Sequence, residues 1–298
     1  MTARSVTASQ SDTVRSLEHR IEEAAAYSGT EPVADARLAV DELLQLLERG
    51  ELRSAERNDS GNWRAVPWVK RGILLGFRIG KLVDMSADPT SGSHGVAFRF
   101  FDKDTFPVRE LTIGDNVRVV PGGSSIRRGA YIAPGVVCMP PMYINVGAYV
   151  GAGTMLDSHA LVGSCAQIGE RVHLSAAAQI GGVLEPVNAA PVVIEDDVIV
   201  GGNCGVYEGT VVRSQAVIGA GVVLTRGTPV YDLVRETIYR GNAETPLEIP
   251  HGAVVVPGAR QVIGGWGEKE RLSLQTPVIV KYRDEKTDSA TALENWLR

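Results

Sequence analysis

The sequence predicts a mainly β protein: a parallel β-helix of six-residue repeats, with an α-helical and mixed α+β domain before it and a short extension after it. Three observations carry this. Aliphatic residues recur at every sixth position through Ile126, Ile132, Cys138, Ile144, Val150, Leu156, Val162, Ile168, Leu174 and Ile180, and nine of these ten are Ile, Leu or Val. Small residues recur four places later at Ala130, Ala148, Thr154, Ala160, Ala166 and Ala178, and again at Cys204, Thr210 and Ala216. Gly129, Gly135, Gly147 and Gly153 fall between these pairs, where the backbone must turn sharply. A strand alternates faces every two residues, so one aliphatic and one small inward residue within six describe a short strand and a turn. Three such units close a triangle of about 18 residues, and each coil buries its apolar face only against its neighbours, about 4.8 Å away.

Residues 1–110 form the predicted N-terminal domain. Val14, Leu17, Ile21 and Ala24 recur at helical spacing, as do Val40, Leu43, Leu44 and Leu47. Gly29 and Pro32 separate these two helices, and Arg49-Gly50 supplies a basic last turn and a glycine stop. From Trp63 to Phe106 aromatic and aliphatic residues mix without a clean period, which reads as a small α+β region. Residues 111–235 form the prism, with nearly six coils from about 17 hexads. The period breaks after Ile180 for eight extra residues and resumes at Ile194, Val200, Val206, Val212, Ile218, Leu224 and Val230. The break, within residues 181–191, reads as a loop, looped out over 182–191. Residues 236–298 supply C-terminal strands and a closing helix around residues 292–297.

The formal net charge of −5, with both signs interspersed, argues against nucleic acid and membrane surfaces and favours small-molecule partners. The first residues hold no apolar leader and no long apolar run follows, so a cytoplasmic protein is expected. Cys138, Cys165 and Cys204 show neither metal spacing nor a disulfide pattern and read as reduced packing residues.

The coil geometry stacks Leu156, Leu174, Val200 and Ile218 once the loop is subtracted. Asp157, Ser175, Gly201 and Gly219 then line up outside, beside Ala176, Gly202 and Ala220. Such a ladder is a smooth groove, and the six-residue pattern resembles that of the hexapeptide-repeat acyltransferases, a resemblance that implies a pantetheine arm lying there. Ser175, Ala176, Gly182, Gly202 and Ala220 are therefore the candidate cofactor contacts, with the loop as the groove's wall.

The chain resembles the tetrahydrodipicolinate N-succinyltransferases of lysine and diaminopimelate biosynthesis, within the hexapeptide-repeat acyltransferases. The resemblance rests on Arg-Val-Val-Pro at 118–121, Asn-Val-Gly-Ala-Tyr-Val at 145–150, Gly-Thr-Met-Leu-Asp at 153–157, Val-Gly-Ser-Cys-Ala-Gln-Ile-Gly at 162–169, Val-His-Leu-Ser at 172–175 and Ile-Gly-Gly-Val-Leu-Glu-Pro at 180–186. It implies a left-handed prism, a homotrimer with sites between subunits, and an acyl-CoA co-substrate with no permanently bound cofactor. It also implies direct attack by the amine of 2-amino-6-oxopimelate, the open form of tetrahydrodipicolinate. The general handedness rule for parallel crossovers would have given the opposite hand. Arg118 matches a substrate-binding arginine, suited to a carboxylate. Asp157 matches a catalytic and substrate-binding aspartate.

The chain departs from the pattern at Gly205, where the family carries a glutamate acting as acid or base, and at Gly151-Ala152-Gly153 and Ser158-His159. Asp157, His159 and Glu208 are then the candidates to accept the amine's proton. The lost carboxylate leaves both succinyl-CoA and acetyl-CoA open as donors, the latter as in a divergent branch serving tabtoxin biosynthesis. Two readings of other classes stand beside these. A γ-class carbonic anhydrase shares the prism but needs three converging histidines, and only His159 and His173 lie in it. No metal ligands are assigned, and His173 reads as a structural or donor residue. A non-catalytic trimeric scaffold is the other alternative.

Overall fold

The computed structural model describes residues 8–27, 35–86, 99–242 and 244–284. The Gly29 and Pro32 punctuation and the closing helix of the tail lie outside the described residues.

Among the described residues three α-helices precede the prism: α1 (Ala8–Ala26), α2 (Ala36–Glu48) and α3 (Pro67–Ile79). The two helical stripes read from sequence face inward, with Leu17, Ile21, Val40, Leu43 and Leu44 fully buried. Gly50 ends the α2 region in a left-handed conformation at φ +67. Helix α3 had no clean period because its buried side, with Trp68, Val69, Ile73 and Leu75, also takes in Lys70 and two glycines. A Cβ on Gly76 would sit 2.7 Å from the Phe106 ring, and one on Gly72 would strike Leu43, so both glycines permit close packing.

The remaining chain winds into a left-handed parallel β-helix whose two-residue strands form three faces. One face runs from Tyr131–Ile132 through Tyr149–Val150, Gln167–Ile168, Val193–Ile194 and Val211–Val212 to Glu248–Ile249. The second runs from Arg118–Val119 through Val137–Cys138, Met155–Leu156, His173–Leu174, Ile199–Val200 and Val217–Ile218 into the long strand Ala253–Gln261. The third runs from Ser125–Ile126 through Tyr143–Ile144, Leu161–Val162, Gln179–Ile180 and Gly205–Val206 to Val223–Leu224. Every aliphatic hexad position from Ile126 to Leu224 is buried, and so is every small residue of the second series. Gly129, Gly135, Gly147 and Gly153 adopt φ between +67 and +81 at the corners. Later corners place His159, Cys165, Arg171, Ala177, Asn203 and Gln215 in the same left-handed region. Tight corners therefore do not require glycine throughout.

Val230 is an exception to the repeat. It is buried, but its strand Val230–Asp232 pairs with Thr237–Tyr239 and Ser273–Tyr282, outside the six-residue register. The chain leaves the coil after Leu224 and returns at Glu248–Ile249, which pairs with Val211–Val212. Aliphatic spacing alone cannot separate a seventh hexad from a strand that happens to be in phase.

The helical layer docks through specific contacts. Ser54 Oγ donates to the carbonyl of Gly147 at 3.0 Å and receives Gln167 Nε2 at 2.9 Å. The Lys70 ammonium, fully buried, donates to the carbonyl of Ala189 at 2.6 Å and ties the segment after Ile180 to α3. Among the described residues no helix is long and apolar enough to cross a membrane.

Candidate active site

The edge between the second and third faces is built by the register of the second face. Leu156 pairs with Leu174, Leu174 with Val200 and Val200 with Ile218, all fully buried. The next residue in each coil donates its amide to the coil above: Asp157 to Leu174, Ser175 to Val200, Gly201 to Ile218 and Gly219 to Val255, at 2.7 to 2.9 Å. Those amides are used up. The amides of Ala176, Gly202 and Ala220, one residue further on, donate to no partner among the described residues. They form a row of donors repeating about every 4.8 Å along an edge without bulky side chains. Gly202 packs tightly on the coil below, since a Cβ there would lie 3.2 Å from the carbonyl of Ala176.

Asp157 stands at the lower end of this edge, a quarter exposed, with Oδ2 3.0 Å from Nε2 of His173. His173 is buried on the outer side of the second face. Sequence reading missed this pair. The signal was present: residue 173 follows 157 by 16 places, two short of one coil, which puts the two on diagonally adjacent positions. His159 lies in the same corner as Asp157, exposed and left-handed at φ +64. Its amide donates to the Pro141 carbonyl and its own carbonyl receives Gln179 Nε2 at 3.0 Å, so the backbone is anchored while the imidazole faces outward. Arg118 opens the same face, exposed, two strands below Met155 in the register Arg118–Val137–Met155.

Two candidates lie elsewhere in the subunit. Glu208 sits on the edge between the third and first faces, where its Oε2 accepts the Arg226 amide at 3.2 Å. It lines a cavity of about 540 Å³ with Trp63, Pro186, Ala189, Arg226 and Asn242. Gly182 is on that edge too, packed against Gly163 and Ser164. The loop leaves the prism one face beyond Ala176 and is held toward α3 by Lys70. Within one subunit it does not wall the groove of Ser175, Ala176, Gly202 and Ala220. Counting hexads gives the reason: residue 180 belongs to the face after residue 174, so the next corner is a different edge.

Gly205 is buried beneath Tyr207. A Cβ at position 205 would sit 2.8 Å from both Cζ and Oη of that ring, so a larger residue there requires the ring to move. The three thiols are all buried. Burial pushes Cys138 up to about 12 and Cys165 up to about 11, and raises Cys204 as well, so none is a thiolate nucleophile at neutral pH. Among the described residues no three His, Cys, Asp or Glu side chains cluster to hold a metal ion.

Residues 16–79 match the family model for the tetrahydrodipicolinate N-succinyltransferase N-terminal region, and residues 191–226 match the hexapeptide repeat of succinyl-transferase. A Polynucleobacter asymbioticus protein named 2,3,4,5-tetrahydropyridine-2,6-dicarboxylate N-succinyltransferase is 40% identical, over 95% of this chain and 97% of its own. The chain belongs to the tetrahydrodipicolinate N-succinyltransferase family. A Nitrobacter hamburgensis relative of the same name is 42% identical over 89% of this chain and 90% of its own. A Campylobacter jejuni structure, provisionally named 2,3,4,5-tetrahydropyridine-2-carboxylate N-succinyltransferase, aligns with a TM-score of 0.54 at 20% identity. It covers 81% of this chain, which spans 62% of that one, and shows the shared fold. Membership makes this protein an acyltransferase, and favours neither the acetyl-specific toxin branch, the zinc lyase nor the scaffold.

Proposed function

We propose that the protein transfers a succinyl group from succinyl-CoA to the amine of 2-amino-6-oxopimelate, the open form of tetrahydrodipicolinate, in the cytoplasm and as a homotrimer. The observation that carries this reading is the edge that joins Asp157 to a row of amides at Ala176, Gly202 and Ala220 that have no acceptor among the described residues. Pantetheine carries two amide groups and would lie along that row with its carbonyls facing the donors, its thioester toward Asp157. Arg118, on the same face, would grip a carboxylate of the dicarboxylic acceptor.

The amine attacks the thioester carbonyl directly. A carbon–nitrogen bond forms, the carbon–sulfur bond breaks, and the amine's proton leaves through Asp157 or His159 to the departing CoA thiolate. Aligning amine and thioester supplies much of the acceleration as effective molarity. An acyl-cysteine intermediate is disfavoured by the buried, protonated thiols.

A homotrimer accounts for the separation of the candidates. Glu208, Gly182 and the loop lie on one edge while Asp157 and Ser175 lie on another, so packing two prisms edge to edge would bring both sets to one cleft. In that assembly the loop of one copy would wall the groove of the next.

The test follows CoA thiol release with tetrahydrodipicolinate as acceptor. Succinyl-CoA is expected to turn over faster than acetyl-CoA, and Asp157→Asn to lower kcat by about 10²- to 10⁴-fold. Release with neither donor, or full activity of Asp157→Asn, overturns the reading. Light scattering on the eluting protein is expected to give three times the chain mass; a monomer with full activity removes the intersubunit site.

A further inference from the structure

We infer that His173 is a positioning residue for Asp157: its imidazole holds one carboxylate oxygen, so that the other is presented to the acceptor's amine. The inference rests on the role proposed above for Asp157.

His173 occupies the outward position of its strand, in the register Val137, Met155, His173, Ile199. The other three members are apolar, so packing alone does not call for an imidazole there. At 6% exposure a polar ring is unfavourable without a partner. Asp157 Oδ2 is at 3.0 Å. An ionised carboxylate only accepts, so Nε2 donates, and that bond holds the torsion of Asp157.

The backbone of Asp157 is already clamped. Its amide donates to Leu174 at 2.9 Å and its carbonyl receives the amide of Ala160 at 3.1 Å. Rotation of the side chain is the remaining freedom, and the bond to His173 removes it. Oδ1 has no partner among the described residues, and the carboxyl group is a quarter exposed on the groove side of the edge. A clamped backbone, one held oxygen and one open oxygen form the arrangement a group needs if it is to meet an incoming ammonium in a fixed direction. The two residues come from successive coils, so the coil spacing itself sets their distance.

Steady-state kinetics of the full chain tests this with His173→Leu, His173→Gln and His173→Asn, alongside Asp157→Asn and the double variant Asp157→Asn/His173→Leu. Loss of one charge-assisted hydrogen bond at the reacting group is expected to lower kcat by about 10- to 100-fold in His173→Leu, with KM for succinyl-CoA within about twofold. His173→Gln, whose amide reaches the former Nε2 position, is expected to recover kcat to within a few fold, whereas the shorter His173→Asn stays low. The double variant is expected to be no slower than Asp157→Asn, because the imidazole acts only through the carboxylate. The Gln and Asn pair carries the comparison if the Leu variant does not fold. Wild-type kcat in His173→Leu, equal rates for Gln and Asn, or multiplied losses in the double variant overturn the inference. These outcomes leave the role of Asp157 standing if Asp157→Asn is slow; a fully active Asp157→Asn removes that role instead.

Discussion

At Gly205 the neighbouring side chain explains the residue better than its own conformation does. The backbone there is ordinary strand, paired with Gln179 on one side and Val223 on the other, so no left-handed turn demands glycine. The demand comes from the Tyr207 ring, which lies over both Gly181 and Gly205. Adding a methyl group to a filled site typically costs about 1–3 kcal/mol. Gly205→Ala is therefore expected to lose stability of that order by urea unfolding, and Gly205→Ala/Tyr207→Ala to lose less than the sum of its parts. Additive losses would show that the ring moves freely. A side chain at position 205 and the Tyr207 ring compete for one space, a partner that the glycine alone does not disclose.

Among the elements, the segment after Ile180 is tied to α3 by a buried charge, beside the bond of the Val183 amide to Ser164 and the packing of Leu184 against the helical core. The Lys70 ammonium is desolvated, which holds it below the usual lysine range, yet it is retained because it satisfies the carbonyl of Ala189. Lys70→Met removes the buried charge, and exchanging a buried charge for an apolar group of similar size is often close to neutral. The expected outcome is faster hydrogen exchange across residues 186–190 with little change in the melting temperature. Unchanged exchange would mean that the segment is held by other contacts. Helix α3 was illegible in sequence for a related reason: its buried side takes in Lys70, Gly72 and Gly76 among the apolar residues, so the inward positions carry no clean apolar period.

In the molecule as a whole, the prism is one continuous apolar column from Ile126 to Ile279 to which Cys138 and Cys204 belong, while Cys165 packs with the helical layer. Cys138 and Cys165 have folded values raised to about 12 and about 11 from 9.0. Below pH 9.0 the thiols are protonated in folded and unfolded chains alike, and their contribution to stability is intact. As pH rises from there through about 11 to 12, the unfolded chain releases these protons first and stability falls. Melting temperatures across pH 8 to 11 (about one unit below the onset and two above it) should decline less steeply for Cys138→Val than for the parent. Equal slopes would place the alkaline loss in other groups.

The sequence by itself determined the coil: a six-residue period decides which residues face inward, and 18-residue stacking decides which share a column, because both follow from strand alternation and the closure of a triangle. Leu156, Leu174, Val200 and Ile218 stack as that arithmetic requires. The same counting placed Asp157 beside Ser175 and Ala176, and the resemblance supplied the hand and the chemistry. Tertiary structure alone decided the rest. It put His173 against Asp157, closed Tyr207 over Gly205, took Val230 out of the repeat, and drew the loop toward Lys70 and away from the groove. Each of these depends on where a side chain or an excursion finds its partner across the fold, and a local period carries no record of partners distant along the chain.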